Sequence, residues 1–304
     1  MSLHLGLDLG GTNIKSALVE RAGDELRVLA THSCPTSSRD GPDRVLERVA
    51  RAGQSIAASR EQPASAGLAL PGHFDPDRGT GVLLPNLYGD WRGRPVAGPV
   101  AAALRQPVAL INDVRALTLA EARLGAGRGV HDFICIALGT GVGGGIVIGG
   151  QLHFGLGHAG EIGHTTVEPD GPVCGCGNRG CLDRVAGAER IAAQAGHPTV
   201  HDAVAAAAAG DDRARAAIER AAVAIGRVLA GAVVLLWPQR VVVGGGVAAA
   251  GEVLLGPMRQ ELRYRAAVAP VDQIDLVPAE LGHFAGAVGA AIFGAESAPA
   301  LGRR

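Results

Sequence analysis

The chain has few aromatic residues, almost no lysine and no excess of charge of either sign. Aromatic residues make up 3% of the 304 positions, whereas 47% are hydrophobic, so the cores must be built from Ala, Val, Leu and Ile. Lys15 is the only lysine. The 28 basic and 29 acidic residues balance one another, and a balanced chain lacks the basic face that nucleic-acid or membrane-surface proteins need. We therefore expect neither nucleic acid nor a membrane as partner.

Long uninterrupted apolar runs are also missing. Asp8 breaks the first apolar segment, so the start of the chain does not have the pattern of a secretion signal. The most apolar predicted helical segment, residues 225–237, contains Arg227 and is too short to cross a bilayer. A chain of 304 residues is long enough for two domains. We expect a cytoplasmic protein.

Strand and helix patterns alternate along the chain, which predicts an α/β fold. The pattern of strand, glycine turn and strand at residues 3–19 recurs at residues 133–148, which predicts a duplicated unit. We predict strands at residues 3–8, 14–19, 26–32, 66–70, 108–111, 133–138, 146–148, 241–243 and 274–277, and helices at residues 42–59, 96–104, 114–124, 186–195, 199–209, 211–236 and 285–295.

Three glycine clusters each follow an apolar strand. A glycine turn after a strand is either an ordinary hairpin turn or a loop whose backbone N–H groups approach a phosphate closely. Three such clusters together favour a nucleotide site, and Asp8, at the end of the first strand, could hold Mg²⁺ through water. The clusters are Gly10 and Gly11 with Thr12 and Asn13, then Gly139, Thr140 and Gly141, then Gly244, Gly245 and Gly246.

Asn112 and Asp113 directly follow the predicted strand 108–111. Side chains at the carboxyl ends of strands in α/β sheets face the ligand. An Asp there can accept the proton of an attacking hydroxyl, with Asn112 orienting the substrate. The alternative is structural, because Asn and Asp are ordinary N-cap residues for the helix that follows.

The most specific pattern is a cluster of one histidine and three cysteines among glycines. Three thiolates and one imidazole suit a tetrahedral Zn²⁺ with no open position, which is typical of a structural site. The alternative is free or disulfide-linked loop cysteines, which a reducing compartment and the short spacing disfavour. The candidate ligands are His164, Cys174, Cys176 and Cys181, whereas the isolated Cys34 and Cys135 are interpreted as small buried hydrophobic residues.

These motifs together resemble the ROK family of sugar kinases and sugar-responsive repressors, within the hexokinase, Hsp70 and actin superfamily. The resemblance spans nearly the whole chain. It is carried by Asp8-Leu9-Gly10-Gly11-Thr12, Asn112-Asp113, Gly139-Thr140-Gly141, Glu161-Ile162-Gly163-His164, Cys174 to Cys181, Gly244-Gly245-Gly246, and Leu281-Gly282 through Ala285-Gly286.

The resemblance implies an ATP-dependent hexose kinase with a bound Mg²⁺ and a structural Zn²⁺. It implies two ribonuclease H-like α/β domains with a cleft between them, at residues 1–112 (joined by the C-terminal helix at about 285–304) and 113–284, and a homodimer or homotetramer. Asp113 is the implied general base. Sugar contacts are implied for Gly72, Asn112, Asp113, Glu161, His164 and Asp183, and nucleotide or Mg²⁺ contacts for the three glycine clusters with Asp8 and Lys15.

Two positions depart from the family pattern. The family places a Glu, which contacts the sugar, where this chain has Asp183, and His283-Phe284 replaces a more polar pair. The shorter carboxylate puts the identity of the sugar in question, with glucose expected first and N-acetylmannosamine, N-acetylglucosamine or fructose as alternatives. A repressor would need a helix-turn-helix ahead of Asp8, for which seven residues leave no room, and a non-catalytic sugar-binding module would not need Asp113.

Overall fold

The computed structural model describes residues 1–58 and 60–301. Ser59, the predicted end of the helix at residues 42–59, and residues 302–304, the predicted end of the C-terminal helix, lie outside these ranges. Its strands are β1 (Ser2–Leu9), β2 (Asn13–Ala22), β3 (Glu25–Pro35), β4 (Ser65–Leu70), β5 (His73–Asp75), β6 (Thr80–Leu83), β7 (Val108–Asn112), β8 (Phe133–Leu138), β9 (Val142–Ile148), β10 (Gln151–Leu152), β11 (Arg240–Gly244) and β12 (Asp275–Pro278). Its α-helices are α1 (Pro42–Ala57), α2 (Ala97–Leu104), α3 (Asp113–Leu124), α4 (Leu182–Ala186), α5 (Ala188–Ala195), α6 (Val200–Ala208), α7 (Asp212–Leu236), α8 (Glu252–Arg265) and α9 (Ala285–Leu301). None of the helices within these ranges combines the length and the apolar character that a membrane span requires.

The chain divides into two compact units. We call Met1–Leu124 together with the C-terminal segment from His283 the N-unit, and Gly125–Gly282 the C-unit. In the N-unit the main sheet has the order β3-β2-β1-β4-β7, with β1, β4 and β7 parallel. Helix α9 lies close to this sheet because Gly6 and Gly67 face Ala287 and Ala290 of the helix. The opposite face carries α1 and α2, whose apolar side chains join those of the strands in one core.

The sheet of the C-unit repeats this arrangement. Its order is β10-β9-β8-β11-β12, with β8, β11 and β12 parallel. Counted along the chain within each five-stranded sheet, the third, second, first, fourth and fifth strands thus lie side by side in that order in both units. The duplication predicted from the two glycine hairpins is confirmed by this shared strand order. The predicted α/β class is also confirmed, and both sheets contain parallel and antiparallel strand pairs. The core of the C-unit is rich in alanine, which lets α7 pack closely against α5, α6 and α8.

Several local predictions differ from the structure. The helix predicted at residues 186–195 is α5 and begins two residues later, at Ala188, because Gly187 adopts an extended conformation. Ala186 instead ends α4, a short helix that was not predicted. Residues 76–95, for which no strand or helix was predicted, contribute β6 to a short hairpin with β5. Helix α8 was not predicted, and Pro257 lies inside it.

The structure groups α3 with the N-unit, whereas the sequence placed the boundary between residues 112 and 113. The physical reason is packing, since α3 lies along α9. Gly289 of α9 approaches the backbone carbonyl of Ala116 in α3, and Arg123 pairs with Glu296 at 3.1 Å. The unit therefore ends at Leu124.

Candidate active-site residues and metal cluster

The carboxyl edge of the N-unit sheet brings together the site residues predicted in that unit. Strands β1, β4 and β7 run parallel, and their register pairs Asp8 with Ala69 and Leu70 with Asn112. Asp8, the residues after β4 and the end of β7 consequently lie along one edge. This is the edge at which α/β proteins bind ligands.

Asn112 is the N-cap of α3. Its Oδ1 accepts hydrogen bonds from the backbone N–H groups of Val114 at 3.1 Å and Arg115 at 3.2 Å, while its Nδ2 donates to the carbonyl of Gly72 at 3.4 Å. The capping alternative considered for Asn112 and Asp113 thus applies to Asn112. The buried Asn112 side chain ties the end of β7 to the turn after β4.

Asp113 lies directly after this cap. It is the first residue of α3 and half-buried, and its Oδ1 accepts from the N–H of Val114 at 2.9 Å. A carboxylate in the first turn of a helix is stabilised in its charged form by the helix dipole. Asp113 is thus held in a fixed place and can accept a proton there.

Replacing Asn112 by Ala is expected to lower the free energy of unfolding by about 1–2 kcal/mol, because two N–H groups of α3 lose their acceptor. The shift of the urea denaturation midpoint measures it. Asn112→Ser, which keeps a capping oxygen, should lose less than half as much. An Ala variant as stable as the wild type would contradict the capping role.

Asp8 is buried at the end of β1 and pairs with Lys15 on the neighbouring strand, with 3.3 Å between Oδ2 and Nζ. Burial raises the pKa of Asp8, and the Lys15 ammonium opposes that rise. The carboxylate also lies against Gly286 in the first turn of α9, where a helix dipole favours negative charge. A bound cation would stabilise the same charged form, so Asp8 suits a hard metal ion such as Mg²⁺.

The first glycine cluster forms a four-residue turn between β1 and β2, since Leu9 pairs with Ile14. Sequence reasoning missed the residue that fixes this turn. Thr36, fully buried after β3, donates its hydroxyl to the carbonyl of Gly10 at 2.6 Å and its N–H to the carbonyl of Thr12 at 2.8 Å. No motif marks Thr36, because its partners are more than twenty residues earlier.

The other two glycine clusters meet at the carboxyl edge of the C-unit sheet. Strands β8 and β11 are parallel, with Gly244 paired to Ala137, so the turn after Leu138 lies beside the turn after Gly244. Gly245 has φ +89°, and a Cβ there would lie 2.3 Å from the carbonyl oxygen of Leu138. Only glycine fits this position. His201 of α6, which the sequence did not indicate, lies beside Gly246.

The four predicted metal ligands form one cluster. The Nδ1 of His164 is 3.6 Å from the Sγ of Cys174, and the Sγ atoms of Cys176 and Cys181 are 3.7 Å apart. All four ligand atoms lie within 4.8 Å of one another. A tetrahedral zinc site with Zn–S of about 2.3 Å and Zn–N of about 2.1 Å has ligand separations of about 3.6–3.8 Å. The donor set and its spacing therefore fit Zn²⁺.

The thiols of this cluster are not linked to one another. The separation between Cys176 and Cys181 is far longer than a disulfide bond. Burial and the neighbouring thiols raise the pKa of Cys181 to about 12, whereas the N–H of Asn178 lowers that of Cys176. A divalent cation would offset the repulsion between several thiolates in one place.

Glu161 lies on the other side of the imidazole. Its Oε2 is 3.9 Å from the Nε2 of His164, the nitrogen that does not face the cysteines. With a metal on Nδ1, the neutral imidazole carries its proton on Nε2. A carboxylate acceptor and an imidazole donor then stand side by side, which suits two neighbouring hydroxyl groups of one ligand.

Asp183 lies two positions after Cys181, the last cysteine of the cluster, and is the second residue of α4. Its Oδ1 accepts the N–H of Val142 at 2.8 Å. Val142 directly follows the second glycine cluster. The structure thus places this predicted sugar contact at the glycine turn, beside Gly141.

Comparison with known proteins gives these residues a context. The model of the ROK family matches residues 4–296. The chain belongs to the ROK family. It is similar to a ROK family glucokinase from Streptomyces griseus whose crystal structure holds glucose and AMPPNP, with a TM-score of 0.85, 32% identity, and coverage of 97% of this chain and 99% of that one.

Two curated relatives carry different names. A glucokinase from Thermotoga maritima is 34% identical over 307 residues, with coverage of 94% of this chain and 95% of that protein. An N-acetylmannosamine kinase from Citrobacter koseri is 34% identical over 295 residues, with coverage of 95% and 97%. Two relatives with equal sequence identity to this chain thus carry names that refer to different sugars.

Proposed function

We propose that this chain transfers the terminal phosphoryl group of ATP to a hydroxyl group of a hexose. The observation that carries the proposal is that Asn112 and Asp113, at the junction of β7 and α3, have different roles. Asn112 caps α3 and binds Gly72, so Asp113 is held in place as a proton acceptor. The kinase names of the ROK relatives and the AMPPNP in the Streptomyces griseus structure support the same reading.

In this mechanism Asp113 takes the proton from the attacking sugar hydroxyl as the oxygen approaches the phosphorus. Phosphoryl transfer needs positioning and charge neutralisation more than covalent chemistry from the protein. Backbone N–H groups of the glycine clusters supply part of that neutralisation, and Mg²⁺ would add positive charge near the buried Asp8.

Glu161 and His164 serve as sugar ligands in this proposal, together with Gly72 and Asn112. Zn²⁺ held by His164, Cys174, Cys176 and Cys181 would be structural, since four protein ligands leave no position for substrate. Its role is to fix the loop that carries Glu161 and the Nε2 of His164. Each unit would then be a ribonuclease H-like domain, a proposal that the shared strand order supports.

Glucose is the first choice of substrate, with N-acetylmannosamine as the alternative named by a relative of equal identity. ADP release measured with glucose, N-acetylmannosamine, N-acetylglucosamine and fructose in turn tests the proposal. We expect the largest kcat/KM with glucose. If N-acetylmannosamine is preferred, the reaction class stands and the sugar is corrected, whereas no turnover with any sugar would favour a binding module.

A further inference from the structure

The carboxylate of Asp183 lies on the glycine turn between β8 and β9. Its Oδ1 accepts from the N–H of Val142 at 2.8 Å, and it packs so closely on Gly141 that a Cβ there would lie 2.1 Å from Oδ1. The bond joins residues 41 positions apart in sequence. It links the helix that follows the metal cluster to the turn that we assign to the nucleotide.

A second contact holds the other side of the same turn. The N–H of Ala188, at the start of α5, donates to the carbonyl of Gly139 at 2.9 Å. Gly187 between the two helices lies against the carbonyl of Thr140. The α4–α5 segment therefore contacts both ends of the glycine turn. Ala188 bonds to its first residue, Gly139, and Asp183 bonds to Val142 at its end.

The same segment is anchored to the metal cluster. Cys181 immediately precedes α4, and the N–H of Leu182 donates to the carbonyl of Thr165, which follows His164, at 2.9 Å. On the other flank, Gly163 packs against the carbonyl of Val142. The cluster and the glycine turn are joined through short, direct contacts on both sides of Val142.

From these contacts we infer that Asp183 is a positioning residue for the nucleotide turn and not a ligand of the sugar. Its bond to Val142 fixes the conformation of residues 139–142 before the nucleotide arrives, which reduces the ordering cost of binding. The side chain that the family pattern places here is one methylene longer. In this chain the shorter side chain of Asp183 places its carboxylate at the glycine turn, in contact with Val142. The inference rests on the proposed assignment of that turn to the nucleotide.

Asp183→Ala should raise the KM for ATP and the dissociation constant for ADP at least about tenfold, the effect of about 1.4 kcal/mol, and leave the KM for the hexose within about twofold. Asp183→Asn keeps an oxygen that can accept from Val142, so both constants should remain within about threefold of wild type. Asp183→Glu should behave like the Ala variant towards ATP, because a longer side chain cannot stay in the same contact with Gly141. Glu189→Gln, an exposed carboxylate on α5, is the matched control.

A rise in the hexose KM with unchanged nucleotide constants in Asp183→Ala would overturn the inference, and so would unchanged values for both. Normal ATP affinity in Asp183→Glu would also count against it, because the longer side chain is expected to lose the close contact with Gly141. If Asp183→Ala fails to fold, the Asn and Glu variants still decide. Calorimetry with ADP distinguishes failure of this inference from failure of the proposed function. If the wild type binds ADP but phosphorylates no hexose, only the proposed kinase activity is refuted, and the effect of Asp183→Ala on ADP binding can still be measured.

Discussion

Asp113→Asn is expected to lower kcat by about 10²–10⁴-fold, the usual contribution of a general base. Asparagine has nearly the same shape and can still accept from the N–H of Val114, the bond that holds the side chain at the start of α3. It cannot accept a proton from a sugar hydroxyl. The affinity for ADP, measured by calorimetry, and the denaturation midpoint should therefore stay close to the wild-type values.

Asp24→Asn is a suitable control, because Asp24 is an exposed carboxylate in the turn between β2 and β3. It should leave kcat unchanged. An Asp113→Asn variant that keeps more than about a tenth of the wild-type kcat would contradict the assignment. The loss would then be smaller than the usual effect of removing a general base. Loss of activity accompanied by a large fall in the denaturation midpoint would point instead to a structural role.

The second large effect is expected in the metal cluster, where Cys176→Ala should abolish zinc binding. Cys176 is exposed, unlike Cys174 and Cys181, so its truncation leaves no cavity and any effect arises from the lost ligand. Wild-type protein should carry about one zinc ion per chain, because one tetrahedral site takes all four ligands. Elemental analysis measures the metal, and hydrogen exchange should show lost protection in residues 161–183.

Cys34→Ala is the control for this experiment, since Cys34 lies in β3 of the N-unit and is not one of the clustered cysteines. It should keep the zinc content and the exchange pattern of the wild type. Equal zinc content in Cys176→Ala and wild type would contradict the ligand assignment. If Cys176→Ala loses zinc without any change in hydrogen exchange, the assignment of Cys176 as a ligand stands but the structural role of the ion is refuted.

Local sequence patterns were sufficient wherever the partners are close in the chain or lie at the ends of regular strands. His164 and the three cysteines stand within eighteen positions, and the short glycine-containing loops between them allow the four side chains to meet. The strand ends that carry Asp8, Asn112 and the second and third glycine clusters were also predictable, because apolar runs mark buried parallel strands. What could not be decided was whether Asn112 or Asp113 caps α3, since both residue types do so.

Contacts between distant segments could not be read from the sequence. Thr36 supports the Gly10 turn through a side-chain hydrogen bond across 26 positions and a backbone hydrogen bond across 24. Asp183 supports the Gly141 turn through a hydrogen bond across 41 positions. The membership of α3 in the N-unit depends on α9, which lies at the other end of the chain. Helix α8 was missed because Gly256 and Pro257 disfavour a helix, and packing of Leu254, Leu255 and Met258 in the core overrides that preference.

The most direct test of the account is the product formed from ATP and glucose, identified by ³¹P NMR spectroscopy. We expect a new phosphate monoester of the sugar that accumulates in equal amount with ADP, and its formation at least about 10²-fold more slowly when Asp113→Asn replaces the wild type. Inorganic phosphate as the only phosphorus product besides ADP, or no reaction with glucose or any of the other hexoses, would contradict it.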